Sequence, residues 1–145
     1  MERIIVKAKF NAGHRQLGYP GKCRFVHGHS WQGQVVLSAD ELPRDELDMS
    51  IDFGDIKNVM RTLDHKMLVT AHDTTFLDAG LFEPEGIVML KGKGPSVENV
   101  ARHVFDGVVA LIQQKYPGRG IRYLLAVTIQ ETENNAFRIE ETVTI

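Results

Sequence analysis

His27-Gly28-His29 has a spacing that suits a metal if it lies in a β-strand. Side chains alternate along a strand, so both imidazoles would point the same way. Gly28 between them lets the backbone pack closely. His14 lies just past an earlier alternating segment. If the two segments pair as a hairpin, their facing ends bring His14 to the His pair. Three imidazoles suit zinc, and three protein ligands leave a fourth position for water or substrate. His72 and His103 have no such company and read as ordinary surface or core residues.

Cys23 stands four residues before His27. It is either a fourth zinc ligand that closes a structural site or a free thiol beside an open one. A metal cation, Lys22 and Arg24 would favour its thiolate, which can act as a base or a nucleophile. The plain alternative is a small buried residue, which the neighbouring Pro20, Gly21, Lys22 and Arg24 argue against. Asp64-His65 follows a helical segment. A carboxylate can orient an imidazole for proton transfer, but adjacent side chains on a helix do not face each other. Spacing alone therefore favours a helix C-terminus with a favourable histidine. Glu131 shares a strand face with Leu125, Val127 and Ile129, which places a carboxylate in an apolar row. Such a group needs a partner, and a ligand with two N–H donors would satisfy it. On pattern alone, a strand that has already left the core explains Glu131 equally well. Glu98 is accounted for by the first turn of a helix.

The elements that must position these residues follow from periodicity. Ile4, Val6, Ala8 and Phe10 alternate with Ile5, Lys7 and Lys9, a half-buried strand. Trp31 to Ser38 reads as a second strand, with a loop from Asn11 to His29 between them. Asp52 can cap a helix carrying Phe53, Ile56, Val59, Met60 and Leu63. Ser96 can cap a second helix with the stripe Val97, Val100, Ala101, Val104, Val108, Leu111 and Ile112, stopped at Tyr116, Pro117 and Gly118. Tyr123 to Thr132 and Phe137 to Ile145 are strands joined by a turn at Asn134 and Asn135. The order predicts an α+β fold: an antiparallel four-stranded sheet with two helices packed on one face. Lys66 to Gly94 is the least defined stretch, with a candidate short strand at Gly86 to Leu90.

The 145 residues fit one domain spanning residues 1–145. Lys and Arg number 17 against 19 Asp and Glu, a net charge of -2 that gives no reason to expect nucleic acid. A single cysteine excludes an internal disulfide. Met1 to Phe10 alternates charge and apolar residues, unlike a signal peptide. No run approaches a membrane span, and a cytoplasmic protein is the expectation.

Six pieces then come together in order: Phe10-Asn11-Ala12-Gly13-His14, Cys23-Arg24-Phe25-Val26-His27-Gly28-His29, Ile51-Asp52-Phe53-Gly54-Asp55, Leu63-Asp64-His65, Pro95-Ser96-Val97-Glu98-Asn99 and Glu131-Thr132. In these the chain resembles the 6-pyruvoyltetrahydropterin and 6-carboxytetrahydropterin synthase family. The resemblance implies the tunnelling fold (T-fold), assembled as a homohexamer of two trimers with active sites at subunit boundaries. It implies zinc on His14, His27 and His29, Cys23 as catalytic thiol, and Asp64 and His65 as its acid–base support. It implies Glu131 as the anchor of a pterin ring, with Ser96 lining the pocket from a neighbouring subunit. The implied substrate is 7,8-dihydroneopterin triphosphate. Arg15, Lys22 and Arg24 carry charge that would suit its phosphates, though surface solvation accounts for each.

The Cys-x-x-x-His-Gly-His spacing looks like the 6-carboxytetrahydropterin synthases of queuosine and 7-deazaguanine pathways, which also release acetaldehyde. The pyruvoyl-forming synthases usually place the cysteine further upstream, and a folate-directed branch has Glu at or near that position. The chain departs from the family pattern in the length of the 66–94 stretch, in Asn134 and Asn135, and in Ser96 where Thr is frequent.

Overall fold

The computed structural model describes residues 1–117 and 120–145. Gly118, named above as a helix stop, lies outside them. Strand β1 (Glu2–His14) and β2 (His27–Ala39) pair antiparallel without a break, from Glu2 opposite Ala39 to His14 opposite His27. Both strands are longer than periodicity indicates, because the run Ala12-Gly13 and the His-Gly-His segment lack bulky alternation. The loop between them shrinks to residues 15–26.

Helix α1 (Phe53–Arg61) starts where Asp52 accepts the Gly54 N–H at 2.7 Å. Helix α2 (Val97–Lys115) starts where the Ser96 hydroxyl accepts the Asn99 N–H at 3.3 Å. Both caps satisfy first-turn donors, as the sequence indicates.

The expected four-stranded antiparallel sheet is corrected to six strands in a mixed sheet. Between the helices lie β3 (Lys66–Val69) and β4 (Ile87–Met89), both added parallel at the β1 edge. After α2 come β5 (Arg122–Thr132) and β6 (Asn135–Thr144), giving the order β4-β3-β1-β2-β5-β6. The antiparallel four are present as β1, β2, β5 and β6. β3 escaped because a short Met-Leu-Val run carries no period. β4 falls inside the candidate stretch 86–90.

One sheet face carries Ile4, Val6, Phe10, Trp31, Val35, Leu37, Leu125, Val127 and Ile129, all buried. Ile56 and Met60 of α1, and Val100, Val104, Val108 and Ile112 of α2, join the same core, so both helices cover this face. Each such fully buried side chain contributes about 1.5–3 kcal/mol. The β5–β6 turn falls at Glu133 and Asn134, one residue earlier than read. The register passes from Gln130 opposite Ala136 to Thr132 opposite Asn135. Glu131 is thus the extra residue of a β-bulge, a device that re-aims a side chain.

The stretch after β3 is tied to the end of β1. Arg15 Nε donates to Asp73 Oδ2 at 2.6 Å and Nη2 to Oδ1 at 2.8 Å, while its guanidinium lies 5.1 Å from the Phe76 ring centre. Arg15 is therefore committed to a buried carboxylate rather than held out for phosphate. Its hydrogen bonds hold the Asp73 carboxyl below the ordinary value of 3.8. Asp73→Asn is expected to cost about 3 kcal/mol at pH 7, since it leaves a charge without its partner. Because the folded-state value is depressed, the aspartate's contribution is full above 3.8 and disappears as pH falls through the folded value. Urea unfolding of both proteins at pH 7 and in mild acid checks this. Equal stabilities at pH 7, or a gap that widens in acid, would contradict it.

Candidate metal centre

Register alone brings the three histidines together. His14 is directly opposite His27, and His29 lies two residues further along the same face. A Cβ on Gly28 would stand 3.2 Å from the Ala12 carbonyl oxygen, so the close strand approach favours glycine there. One ring nitrogen from each of His14, His27 and His29 falls within 4.8 Å of the other two.

The backbone sets the orientation of two rings. His14 Nδ1 is 2.6 Å from the Pro95 carbonyl oxygen, and His27 Nδ1 is 2.7 Å from that of Phe25. A carbonyl only accepts, so each Nδ1 carries its proton and donates. Each Nε2 is then left with a bare lone pair, the arrangement that orients metal-binding histidines. Trp31 forms the floor, with its ring centre 5.1 Å from that of His14 and 5.3 Å from that of His29. Its Nε1–H donates to the Ala12 carbonyl, and Phe10 stacks against it. Burial against this floor pushes the His14 and His29 imidazoles below the ordinary 6.5, which keeps them neutral.

The Nε2 atoms of His14 and His29 are buried and lack hydrogen-bond partners. An unsatisfied buried polar atom is costly, and a cation bound by both removes that cost. The donor set therefore fits a metal ion. Three imidazoles suit zinc and other borderline divalent ions of the first transition row.

Glu131 is aimed into this cluster. Its Oε1 is 3.3 Å from His14 Nε2 and 3.6 Å from His29 Nε2. The apolar row on its face holds, since Leu125, Val127 and Ile129 are buried.

Cys23 lies on a single helical turn, Lys22–Arg24, in the 15–26 loop and is half-buried. Among the described residues it is outside the group of mutually close ligand atoms. Arg24 turns to the Pro20 carbonyl and to the Phe25 ring.

Asp64 and His65 lie beyond α1, not at its C-terminus as spacing favours. His65 adopts a left-handed φ of 59°, and this turn brings its Nδ1 within 2.9 Å of Asp64 Oδ2. The pair is clipped to β1: Asn11 N–H donates to Asp64 Oδ1, and His65 N–H donates to the Asn11 carbonyl, both at 2.7 Å. The Asn11 N–H, and then His65, hold the Asp64 carboxyl below 3.8. The His65 side chain is 81% exposed.

Ser96 spends its hydroxyl on the α2 cap, but Pro95 before it touches His14, so this loop borders the metal cluster of the same chain. Sequence reasoning missed the Pro95 and Phe25 carbonyls and the Trp31 floor. Backbone acceptors leave no trace in residue type. Trp31 carried one usable signal, its place two residues after His29 on the same face.

The family model described as 6-pyruvoyl tetrahydropterin synthase matches residues 3–142. A 6-carboxy-5,6,7,8-tetrahydropterin synthase of Rickettsia typhi is 28% identical over 142 residues, covering 92% of this chain and 96% of the relative. The enzyme of that name from Rickettsia felis is 30% identical over 109 residues, covering 72% and 78%. A variant of the 6-pyruvoyltetrahydropterin synthase of Plasmodium vivax superposes with a TM-score of 0.71 at 16% identity, covering 98% of both chains, a likeness of fold. With a matched model spanning nearly the whole sequence, and a fold and a three-histidine cluster in agreement with it, the chain belongs to the 6-pyruvoyl tetrahydropterin synthase family.

Proposed function

We propose that this chain is a zinc-dependent lyase that converts 7,8-dihydroneopterin triphosphate to 6-carboxytetrahydropterin, with loss of triphosphate and acetaldehyde. The observation that carries the reading is the cluster of three imidazoles, in which the Nε2 atoms of His14 and His29 are buried without partners. Relatives that match most of the chain bear the name 6-carboxy-5,6,7,8-tetrahydropterin synthase, which supports the carboxy branch.

Zinc, when bound, would polarise the side-chain oxygens of the substrate and acidify neighbouring C–H and O–H groups. His14, His27 and His29 hold it, and backbone acceptors keep the His14 and His27 rings aimed. Cys23 takes a proton from the substrate side chain. His65, ordered by Asp64, relays one. Glu131 accepts the N–H edge of the pterin ring.

The reading includes a homohexamer of two trimers, with Asp64 and His65 serving a site at a subunit boundary. The exposure of His65 supports this, as do the outer edges left by β4 and β6. Among the described residues, no helix is long and apolar enough to cross a membrane.

The test is incubation of zinc-loaded protein with 7,8-dihydroneopterin triphosphate, followed by mass spectrometry. Formation of 6-carboxytetrahydropterin and acetaldehyde is expected. A 6-pyruvoyl product without acetaldehyde would move the chain to the other branch. Metal binding with no turnover would leave a non-catalytic scaffold.

A further inference from the structure

The buried, partnerless Nε2 atoms of His14 and His29 both face one carboxylate oxygen of Glu131. His14 Nδ1 donates to the Pro95 carbonyl, which aims its Nε2 at Glu131 Oε1. His29 Nε2 is buried and equally without a partner. A cation between these atoms would satisfy all three at once. The separations also fit a shared cation. Two donors at about 2.0–2.1 Å from a tetrahedral centre stand about 3.3 Å apart. The observed separations are 3.3 and 3.6 Å.

The backbone supplies the aim. Glu131 is the bulged residue of β5, one step before the strand turns into β6. Bulges beside active sites re-aim side chains, and this one directs a carboxylate to the His14–His29 edge. The group of atoms mutually within 4.8 Å contains the three histidines and not Glu131, so ligation requires the carboxylate to swing toward His27. Its side chain is 26% exposed at the strand end, which leaves room for that movement.

We propose that Glu131 is a fourth ligand of the metal held by His14, His27 and His29 when no substrate is bound. This rests on the reading that the three histidines bind a metal, and deepens the role of Glu131. A carboxylate drawn to the metal is not free to accept two N–H donors of a pterin ring at once. Ring binding and closure of the metal are therefore alternatives, and the resting site is capped by the group that later anchors the ring.

The experiment uses the intact protein and metal alone. Wild type, Glu131→Gln and Glu133→Gln are loaded with cobalt(II) for visible absorption, and zinc affinity is measured by chelator competition. Glu133 is an exposed carboxylate in the adjoining turn, so its variant controls for lost charge. Glu131→Gln is expected to weaken zinc about 10²–10³-fold, the loss of one ligand, and to change the cobalt spectrum, with Glu133→Gln matching wild type. An unchanged spectrum and affinity in Glu131→Gln would overturn the inference while leaving the histidine centre intact. Equal weakening in both variants, with unchanged spectra, would reduce Glu131 to a distant charge and overturn it too. A wild type that binds neither ion would overturn both this inference and the zinc reading.

Discussion

Replacing Cys23 with alanine is expected to lower turnover by about 10²–10⁴-fold, the range for loss of a positioned acid or base, without lowering bound metal. The two halves of that result have different grounds. Turnover falls because, under the proposed function, the thiol takes the substrate proton. Metal stays because the mutually close ligand atoms belong to His14, His27 and His29, with Cys23 outside the group. Folding is little affected. The side chain is half-buried, and the contact that anchors its position is its backbone carbonyl, which accepts the Gln16 N–H at 2.8 Å. Alanine keeps that bond. Product mass spectrometry and elemental analysis of the same preparation read both halves. Metal lost together with activity would make Cys23 a ligand, and retained activity would remove it from the chemistry.

The histidine centre was legible because strand alternation and hairpin register are local rules. They place His27 and His29 on one face and His14 opposite His27 without knowledge of anything distant. Asp64 and His65 were half legible. Their spacing allows cooperation only through a turn, and the left-handed φ at His65 that supplies it is not marked by a glycine. Tertiary contacts were not legible. Pro95 reaches His14 across 81 residues, and Asp73 reaches Arg15 across 58. Neither a backbone carbonyl nor an ordinary aspartate announces its partner. The bulge at Glu131 was hidden for a related reason. Alternation placed its side chain on the core face, but the extra residue shows only in the register against β6. The four long antiparallel strands carried readable periods, whereas β3 and β4, at four and three residues, are too short to show one.

Removal of one imidazole should abolish the coupling between metal and stability. His29→Ala is the informative change. His14 also bonds Pro95 and is nearly fully buried, so its loss would perturb packing directly. The His29 side chain is 19% exposed, and alanine preserves the backbone pairing with Ala12. Structural zinc sites with four ligands yield about 10–16 kcal/mol, or about 2.5–4 kcal/mol per ligand. One lost ligand thus raises the dissociation constant about 10²–10³-fold. A ligand at 1,000 times its dissociation constant stabilises a fold by about 4 kcal/mol. At the same zinc concentration the variant would sit at about 1–10 times its own constant, where the gain is about 0.4–1.4 kcal/mol. Thermal unfolding with and without zinc should show a clear upward shift for wild type and little for His29→Ala, while the metal-free proteins melt close together. Equal shifts would mean that zinc binds elsewhere. A metal-free variant that melts far below wild type would mean that His29 serves the core rather than the metal.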